Sequence, residues 1–251
     1  MRQPVREGFF AFLEDIAAPG DGFALFGGTH VAMLCLMGLL AAAICVAYVR
    51  TESSKRPRIL TTVALATVAL EAAQQISFPL LHGRYWVDQI PLHLCGLSIF
   101  IELIHAYFPN KTTGEILYCL CLPGAVAALL FSNWSMYPIW NFYGLQSFVI
   151  HALHIAFPLS LLVSSELAPD ARRLWRPAAF LAIVVPIVYA INNALGTNFF
   201  FVNAGSEGSP LEIFIRIAGV PGFLFLYAGL LAAVWALMYL PWHIARRKTK
   251  H

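Results

Sequence analysis

Seven apolar runs, each about as long as a membrane-spanning helix, constrain this chain more than any other feature of its sequence. They cover residues 25–49, 59–81, 91–108, 115–131, 144–164, 177–195 and 220–242. A helix needs about 20 predominantly apolar residues to cross the hydrocarbon core of a bilayer. Only 12% of the 251 residues are charged, about half the share found in soluble domains. The sequence therefore predicts an all-α, polytopic membrane protein with a bundle of about seven transmembrane helices.

The basic residues divide unequally between the two ends of this bundle. One end carries twelve of the 16 Lys and Arg residues, and the other carries Arg2, Arg6, Arg84 and Arg216. By the positive-inside rule the twelve are cytoplasmic, so the N-terminus lies outside and the C-terminus inside. The predicted organisation is an extracytoplasmic segment over 1–24 that favours an interfacial helix, a transmembrane domain over 25–242, and a basic cytoplasmic tail over 243–251. Because these cations lie in loops beside apolar runs, they argue against a nucleic-acid-binding surface.

Polar side chains inside the predicted spans collect in the outer half of the membrane. Such side chains normally face a protein interior or a wet cavity. The residues concerned are His30, Glu71, Gln74, Gln75, His93, Cys95, His151 and Asn193. Helical spacing places Glu71, Gln74 and Gln75 on one face of their span, and Ser147, His151 and His154 on one face of another. The cytoplasmic half contains Glu102, His105 and Glu115, which are near helix ends where they can reach water. We therefore expect a polar pocket that opens outward.

Cys95 differs from the other four cysteines by its position close to the start of a predicted span. The positive end of a helix favours a thiolate, and nearby histidines supply the base that a nucleophile needs. Cys35, Cys45, Cys119 and Cys121 are interpreted as small packing residues. No CxxC spacing indicates a zinc site or a redox pair, and a disulfide framework is not expected. For His30, His154 and Asn192, interhelical hydrogen bonding is an equally good interpretation.

Several motifs resemble those of one family. The stretch Pro91-Leu-His-Leu-Cys95 resembles the PLHLC signature of the YwaF-like bacterial integral membrane proteins, which are relatives of the eukaryotic transmembrane protein 164 family. The resemblance extends through His30, Glu71, Tyr118, the segment 122–126, the helix of His151, and Asn193 before the segment 196–199. The chain departs from the family pattern at Gly96, where we expect an acidic or amide residue, and at Phe199, which replaces tyrosine.

The resemblance implies a multi-helix protein of a bacterial plasma membrane that transfers acyl groups on phospholipids, with the cysteine as nucleophile and no cofactor. In that hypothesis His151 is the general base, Glu71 orients the histidine, and Gln74, Gln75 or Asn193 stabilises the oxyanion. His30 and His93 complete the substrate-binding set. Two other hypotheses use the same residues. One is a solute transporter or ligand-binding membrane protein with Glu71 as a proton-coupled carboxylate. The other is haem or metal binding through His30, His93, His151 and His154.

Overall fold

The computed structural model describes residues 8–11, 22–82, 87–205 and 209–248, and every regular element in them is helical. The α-helices are α1 (Gly28–Arg50), α2 (Arg56–His82), α3 (Leu94–Tyr107), α4 (Lys111–Ile116), α5 (Leu122–Leu130), α6 (Phe142–Val163), α7 (Trp175–Leu195), α8 (Pro210–Ala218) and α9 (Phe223–Lys248). A π-helical turn, Leu117–Cys121, joins α4 to α5 into one continuous span. Short 3₁₀ turns occur at Val87–Gln89, Ala171–Arg173 and Phe199–Phe201.

Six helices in the described residues are long and apolar enough to cross a membrane, and a shorter apolar helix, α3, follows the second of them. These seven helices correspond in order to the seven predicted spans, so the all-α, polytopic prediction is confirmed. The predicted sidedness of the termini stays a prediction. Of the predicted interfacial helix in residues 1–24, positions 1–7 and 12–21 lie outside the described residues. The Phe9 carbonyl accepts the Phe142 N–H at 2.7 Å, which attaches the segment 8–11 to the start of α6.

Helix α6 is the centre of the bundle. It contacts α1, α2, α3 and α5. In its most apolar stretch of 18 residues, 67% is buried inside the protein, whereas the corresponding share is 11–22% in α1, α2, α7 and α9. Small residues such as Gly144, Ala152 and Ala156 let neighbouring helices approach α6 closely. Such close packing stabilises helix contacts in a membrane, where no hydrophobic driving force acts between helices. The outer helices expose their large apolar side chains, as expected for surfaces that face lipid.

Helix α3 begins three residues later than the sequence predicts, and the reason is local. Residues 90–93 are not helical, and His93 is the N-cap residue with extended backbone angles. The 14 residues of α3 rise about 21 Å, which is less than the hydrocarbon thickness of about 30 Å. The non-helical stretch therefore completes the crossing. Such backbone is tolerated in a membrane only where protein or a cavity surrounds it.

The π-helical turn at Leu117–Cys121 has an identifiable cause in Pro123. A proline at this position has no N–H to donate to the carbonyl of Cys119, four residues earlier. The indole Nε1 of Trp235 on α9 donates to that carbonyl instead, at 2.8 Å. A helix–helix contact thus takes the place of the missing intrahelical bond and fixes this turn beside Cys121.

Two carboxylates near the basic end of the bundle are buried, although their positions in the sequence predict contact with water. Glu115 is fully buried and accepts hydrogen bonds from the Tyr239 hydroxyl at 2.5 Å and the Asp170 N–H at 3.0 Å. Glu102 is also fully buried, and His105 is 7% exposed. The expectation that these three side chains reach solvent is therefore wrong, because neighbouring helices cover the faces of α3 and α4 that carry them.

Candidate functional site

A cavity of about 380 Å³ lies between α2, α3, α5 and α6, and Phe200, Phe201 and residues 209–211 also line it. This volume is within the range of small-molecule sites. Most of its lining is apolar, including Leu94, Ala128, Ile150, Phe201 and Leu230. The polar and ionisable side chains that line it include Glu71, Gln74, Gln89, His93, Cys95, Ser98, Cys121, Gln146, Ser147, His151 and His154. Five of the eight predicted site residues thus share one cavity: Glu71, Gln74, His93, Cys95 and His151.

Cys95 is the second residue of α3, whose N-terminus carries no side-chain cap. The first intrahelical hydrogen bond runs from the Leu97 N–H to the His93 carbonyl, so the preceding amides have no intrahelical acceptor. The Cys95 and Gly96 amides face the Cys95 sulfur. A helix begins at this point inside the bundle and directs its positive end at the cavity that Cys95 lines.

Gly96 explains how the chain reaches Cys95 in this orientation. A Cβ atom at residue 96 would lie 2.7 Å from the Cα atom of Pro91 and would overlap the Pro91 carbonyl. Only glycine lets the segment 90–93 fold back against the first turn of α3 this closely. The departure from the expected acidic or amide residue at this position therefore has a steric reason.

His151 is 6% exposed and has a defined tautomer. Its Nδ1 lies 2.6 Å from the carbonyl oxygen of Ser147, which can only accept a hydrogen bond, so Nδ1 carries the proton. The unprotonated atom of the neutral ring is then Nε2. The ring stacks on Trp134, with centroids 5.1 Å apart and planes inclined by 17°. In this tautomer His151 can accept a proton through Nε2.

His154 is the second histidine of α6 that lines the cavity, and the acyl-transfer hypothesis drawn from the sequence gives it no role. It is fully buried, and its Nδ1 lies 2.8 Å from Oε1 of the equally buried Glu102. Its Nε2 has no hydrogen-bond partner among the residues that the structure describes. Glu102 follows Cys95 by seven residues, a spacing that places both on one face of α3. That spacing could have indicated that Glu102 belongs to the site. Glu102 was instead grouped with the side chains near helix ends.

The predicted glutamine and glutamate set forms a separate polar group at one side of the cavity. Gln75 donates to Oε1 of Glu71 at 2.8 Å and also to the Gln89 carbonyl. Gln74 donates to Oε1 of Gln89 at 2.8 Å. Glu71 and Gln74 line the cavity, whereas Gln75 does not. The amide groups predicted to stabilise an oxyanion are therefore already engaged in fixing the segment before Pro91 to α2.

An aromatic turn, Phe199–Phe201, covers the cavity next to His93. Phe200 and Phe201 have φ values of 58° and 54°, a left-handed conformation that costs non-glycine residues of order 1–3 kcal/mol each. Asn192 holds the turn: its Oδ1 accepts the Phe199 N–H at 2.8 Å, and its Nδ2 donates to the Phe199 carbonyl at 3.0 Å. His93 accepts the Phe200 N–H at 3.3 Å through Nδ1 and contacts two of the three rings.

Replacement of Asn192 by alanine is expected to lower the free energy of unfolding by about 2–3 kcal/mol, because a strained turn loses the side chain that satisfies it. The measurement is unfolding of the purified protein in a denaturing detergent titration. Asn193→Ala is the matched control, since Asn193 is exposed, lies outside the cavity lining and bonds only Asn203 among the described contacts. An equal loss in both variants would contradict this role of Asn192.

His30 lies outside the cavity lining and is fully buried. Its Nδ1 accepts the Phe26 N–H at 2.9 Å, so Nε2 carries the proton that it donates to the Leu129 carbonyl at 2.9 Å. Nε2 thus links α1 to the end of α5, and Nδ1 binds the segment that precedes α1. Within the described ranges, no group of three or more His, Cys, Asp or Glu side chains is arranged to hold a metal ion.

Comparison with known proteins places the chain in a family. The model of the TMEM164 family matches residues 25–239, which includes every residue that lines the cavity and all the spans except the end of α9. The chain belongs to the TMEM164 family, and the resemblance drawn from its motifs is confirmed. No curated protein matches the chain, and neither does any solved structure.

Proposed function

We propose that this member of the TMEM164 family transfers or hydrolyses the acyl groups of membrane phospholipids, with Cys95 as the nucleophile and a histidine of α6 as the acid–base group. One observation carries the proposal. Cys95 stands at an uncapped helix N-terminus in the wall of a mostly apolar cavity that His151 and His154 also line. A nucleophile, a base and a helix end within one enclosed space are the parts that covalent acyl transfer needs.

The chemistry runs in two half-reactions. In the first, a histidine Nε2 takes the thiol proton, the sulfur bonds to the acyl carbon, and the ester C–O bond breaks as the leaving oxygen receives that proton. In the second, a hydroxyl group of an acceptor lipid, or water, gives its proton to the same nitrogen and attacks the thioester. The C–S bond then breaks, and Cys95 is restored. His151 is the histidine that the sequence predicts for this role, and its tautomer suits it.

The tetrahedral intermediate of each half-reaction carries a negative oxygen that needs hydrogen-bond donors. Gln74 and Gln75 donate to other groups, and Asn193 lies outside the cavity lining. The amides of Cys95 and Gly96 at the start of α3 are the better donors, because they lie beside the reacting sulfur and have no intrahelical acceptor. The helix dipole adds to their effect.

A phospholipid acyl chain suits the rest of the cavity. Helices α5 and α9 contribute mostly small and apolar residues to the lining, among them Gly124, Ala127 and Leu230. A mostly apolar cavity with a few polar groups suits a ligand that has one ester and a long hydrocarbon tail. This lining supports a lipid of the surrounding membrane as the substrate.

Trapping of the acyl-enzyme tests the proposal. Protein in nanodiscs that contain phosphatidylcholine and phosphatidylethanolamine is denatured in acid and weighed intact. We expect an added mass equal to one acyl chain on Cys95 that neutral hydroxylamine removes, as it removes thioesters. An adduct that persists in Cys95→Ala, or no adduct with any phospholipid offered, would overturn the proposal.

Transport is the second candidate, and the half-buried Glu71 of the cavity wall is the observation that favours it. Reconstituted vesicles separate the two functions. Uptake of a solute that is lost in Glu71→Gln and retained in Cys95→Ala would identify the cavity as a transport site.

A further inference from the structure

We propose that Glu102 is a positioning residue that aligns His154 and makes it, instead of His151, the acid–base group of Cys95. The inference rests on the proposed function and deepens it. It names a buried Glu–His pair that neither the motifs nor the predicted roles include. It starts from Nε2 of His154, a buried polar atom without a hydrogen-bond partner in the described part of the chain.

The hydrogen bonds around His154 are asymmetric. Its Nδ1 is 2.8 Å from Oε1 of Glu102, and the other carboxylate oxygen of Glu102 is 3.4 Å from the Thr67 hydroxyl. All three side chains are fully buried. When the Nδ1–H group donates a hydrogen bond to the carboxylate, the neutral imidazole has its lone pair on Nε2. A carboxylate on Nδ1 also stabilises the imidazolium that forms when Nε2 accepts a proton.

The free Nε2 is the second observation. A buried polar atom with no hydrogen-bond partner costs about 1–3 kcal/mol, so folded proteins keep few of them. His154 lines the cavity together with Cys95, and a thiol or a substrate hydroxyl there would give Nε2 its missing partner. An unsatisfied atom at this place is explained by a role in the reaction.

His151 fits the same role less well. Its Nδ1 bonds a neutral backbone carbonyl, which stabilises an imidazolium less than a carboxylate does. Its ring lies flat on Trp134, so one face of it forms part of the cavity wall. The two imidazoles are neighbours, with ring centroids 6.1 Å apart, so His151 can orient the substrate while His154 exchanges the proton.

The surroundings of the pair decide its pH dependence. Among the described residues, the titratable groups that share the cavity wall with His154 are Glu71 on α2, Cys95 on α3, Cys121 on the π-helical turn, His151 on α6, Tyr227 on α9, and His93. Glu102 alone bonds His154 directly among the described contacts. Glu102→Gln removes its negative charge and keeps the size of the side chain. The pH profile of the reaction is therefore expected to change in this variant.

Two measurements test the assignment. The first is the rate of iodoacetamide alkylation of Cys95 near neutral pH, read by peptide mass spectrometry relative to the same peptide of the unmodified protein. The second is the pH profile of thioester formation with phosphatidylcholine. His154→Asn retains a donor for Glu102 but lacks Nε2, and Glu102→Gln removes the charge. Both are expected to slow alkylation at least about tenfold and thioester formation about 100-fold. Glu102→Gln is also expected to change the pH profile of thioester formation relative to the unmodified protein.

Glu115→Gln is the matched control, because Glu115 is as buried as Glu102 and lies outside the cavity lining. It is expected to lose stability without a change in either readout. If Glu102→Gln does not fold, His154→Asn alone decides. The assignment is overturned if His151→Asn abolishes thioester formation while His154→Asn does not, or if the profile of Glu102→Gln superimposes on that of Glu115→Gln. Absence of any thioester in the unmodified protein overturns this assignment and the proposed function together.

Discussion

Replacement of Cys95 by alanine is expected to lower the rate of acyl transfer by at least about 10³-fold, the size of effect seen when a covalent nucleophile is removed. The physical reason is that neither half-reaction can proceed without the thioester, and water has no equivalent position at the helix end. The measurement is turnover of a labelled phospholipid by the protein in nanodiscs. Binding of the lipid should be retained, because the apolar wall is unchanged.

Cys121→Ala is the control for this prediction. Cys121 lines the same cavity but belongs to the π-helical turn, is buried, and has no helix N-terminus directed at it. We expect its removal to change turnover less than about tenfold, as for a small packing residue. If Cys121→Ala were the more damaging of the two substitutions, the nucleophile would be misassigned.

Gly96→Ala is expected to have the second largest effect, although it adds only one carbon atom. The new Cβ would lie 2.7 Å from the Cα atom of Pro91, and backbone at such a distance must move. Overpacking of this kind costs about 1–3 kcal/mol of stability. A shift of the α3 N-terminus by about 1 Å would also move Cys95 from its base and lower the rate of thioester formation about 100-fold. The unfolding titration and the trapping assay measure the two effects separately.

Gly38→Ala provides the comparison for Gly96→Ala. Gly38 is also helical, but a Cβ atom there meets nothing within 4 Å. Alanine should be neutral or slightly stabilising at this position, since it is the better helix former. A loss in Gly38→Ala as large as that in Gly96→Ala would show that glycine content, and not the contact with Pro91, is what matters.

Hydrophobicity fixed the spans in advance, because a bilayer requires about 20 apolar residues in every crossing helix. The seven predicted runs recur in order as α1, α2, α3, the α4–α5 span, α6, α7 and α9. The short helix α8 was missed, since nine residues are too few for a span. The start of α3 was placed too early, because Pro91 is compatible with a first helical turn and only the packing of residues 90–93 shows otherwise.

For the candidate site, the sequence determined which residue types lie in which helix, and this was enough to gather Glu71, His93, Cys95 and His151. Their partners were decided by the tertiary structure alone. The pairing of His154 with Glu102 joins residues 52 positions apart on two helices, and no local spacing encodes such a contact. The same holds for His30, which binds the end of α5 instead of the cavity. Burial in a bundle depends on which neighbour covers a helix face, and that is settled only when all the helices pack.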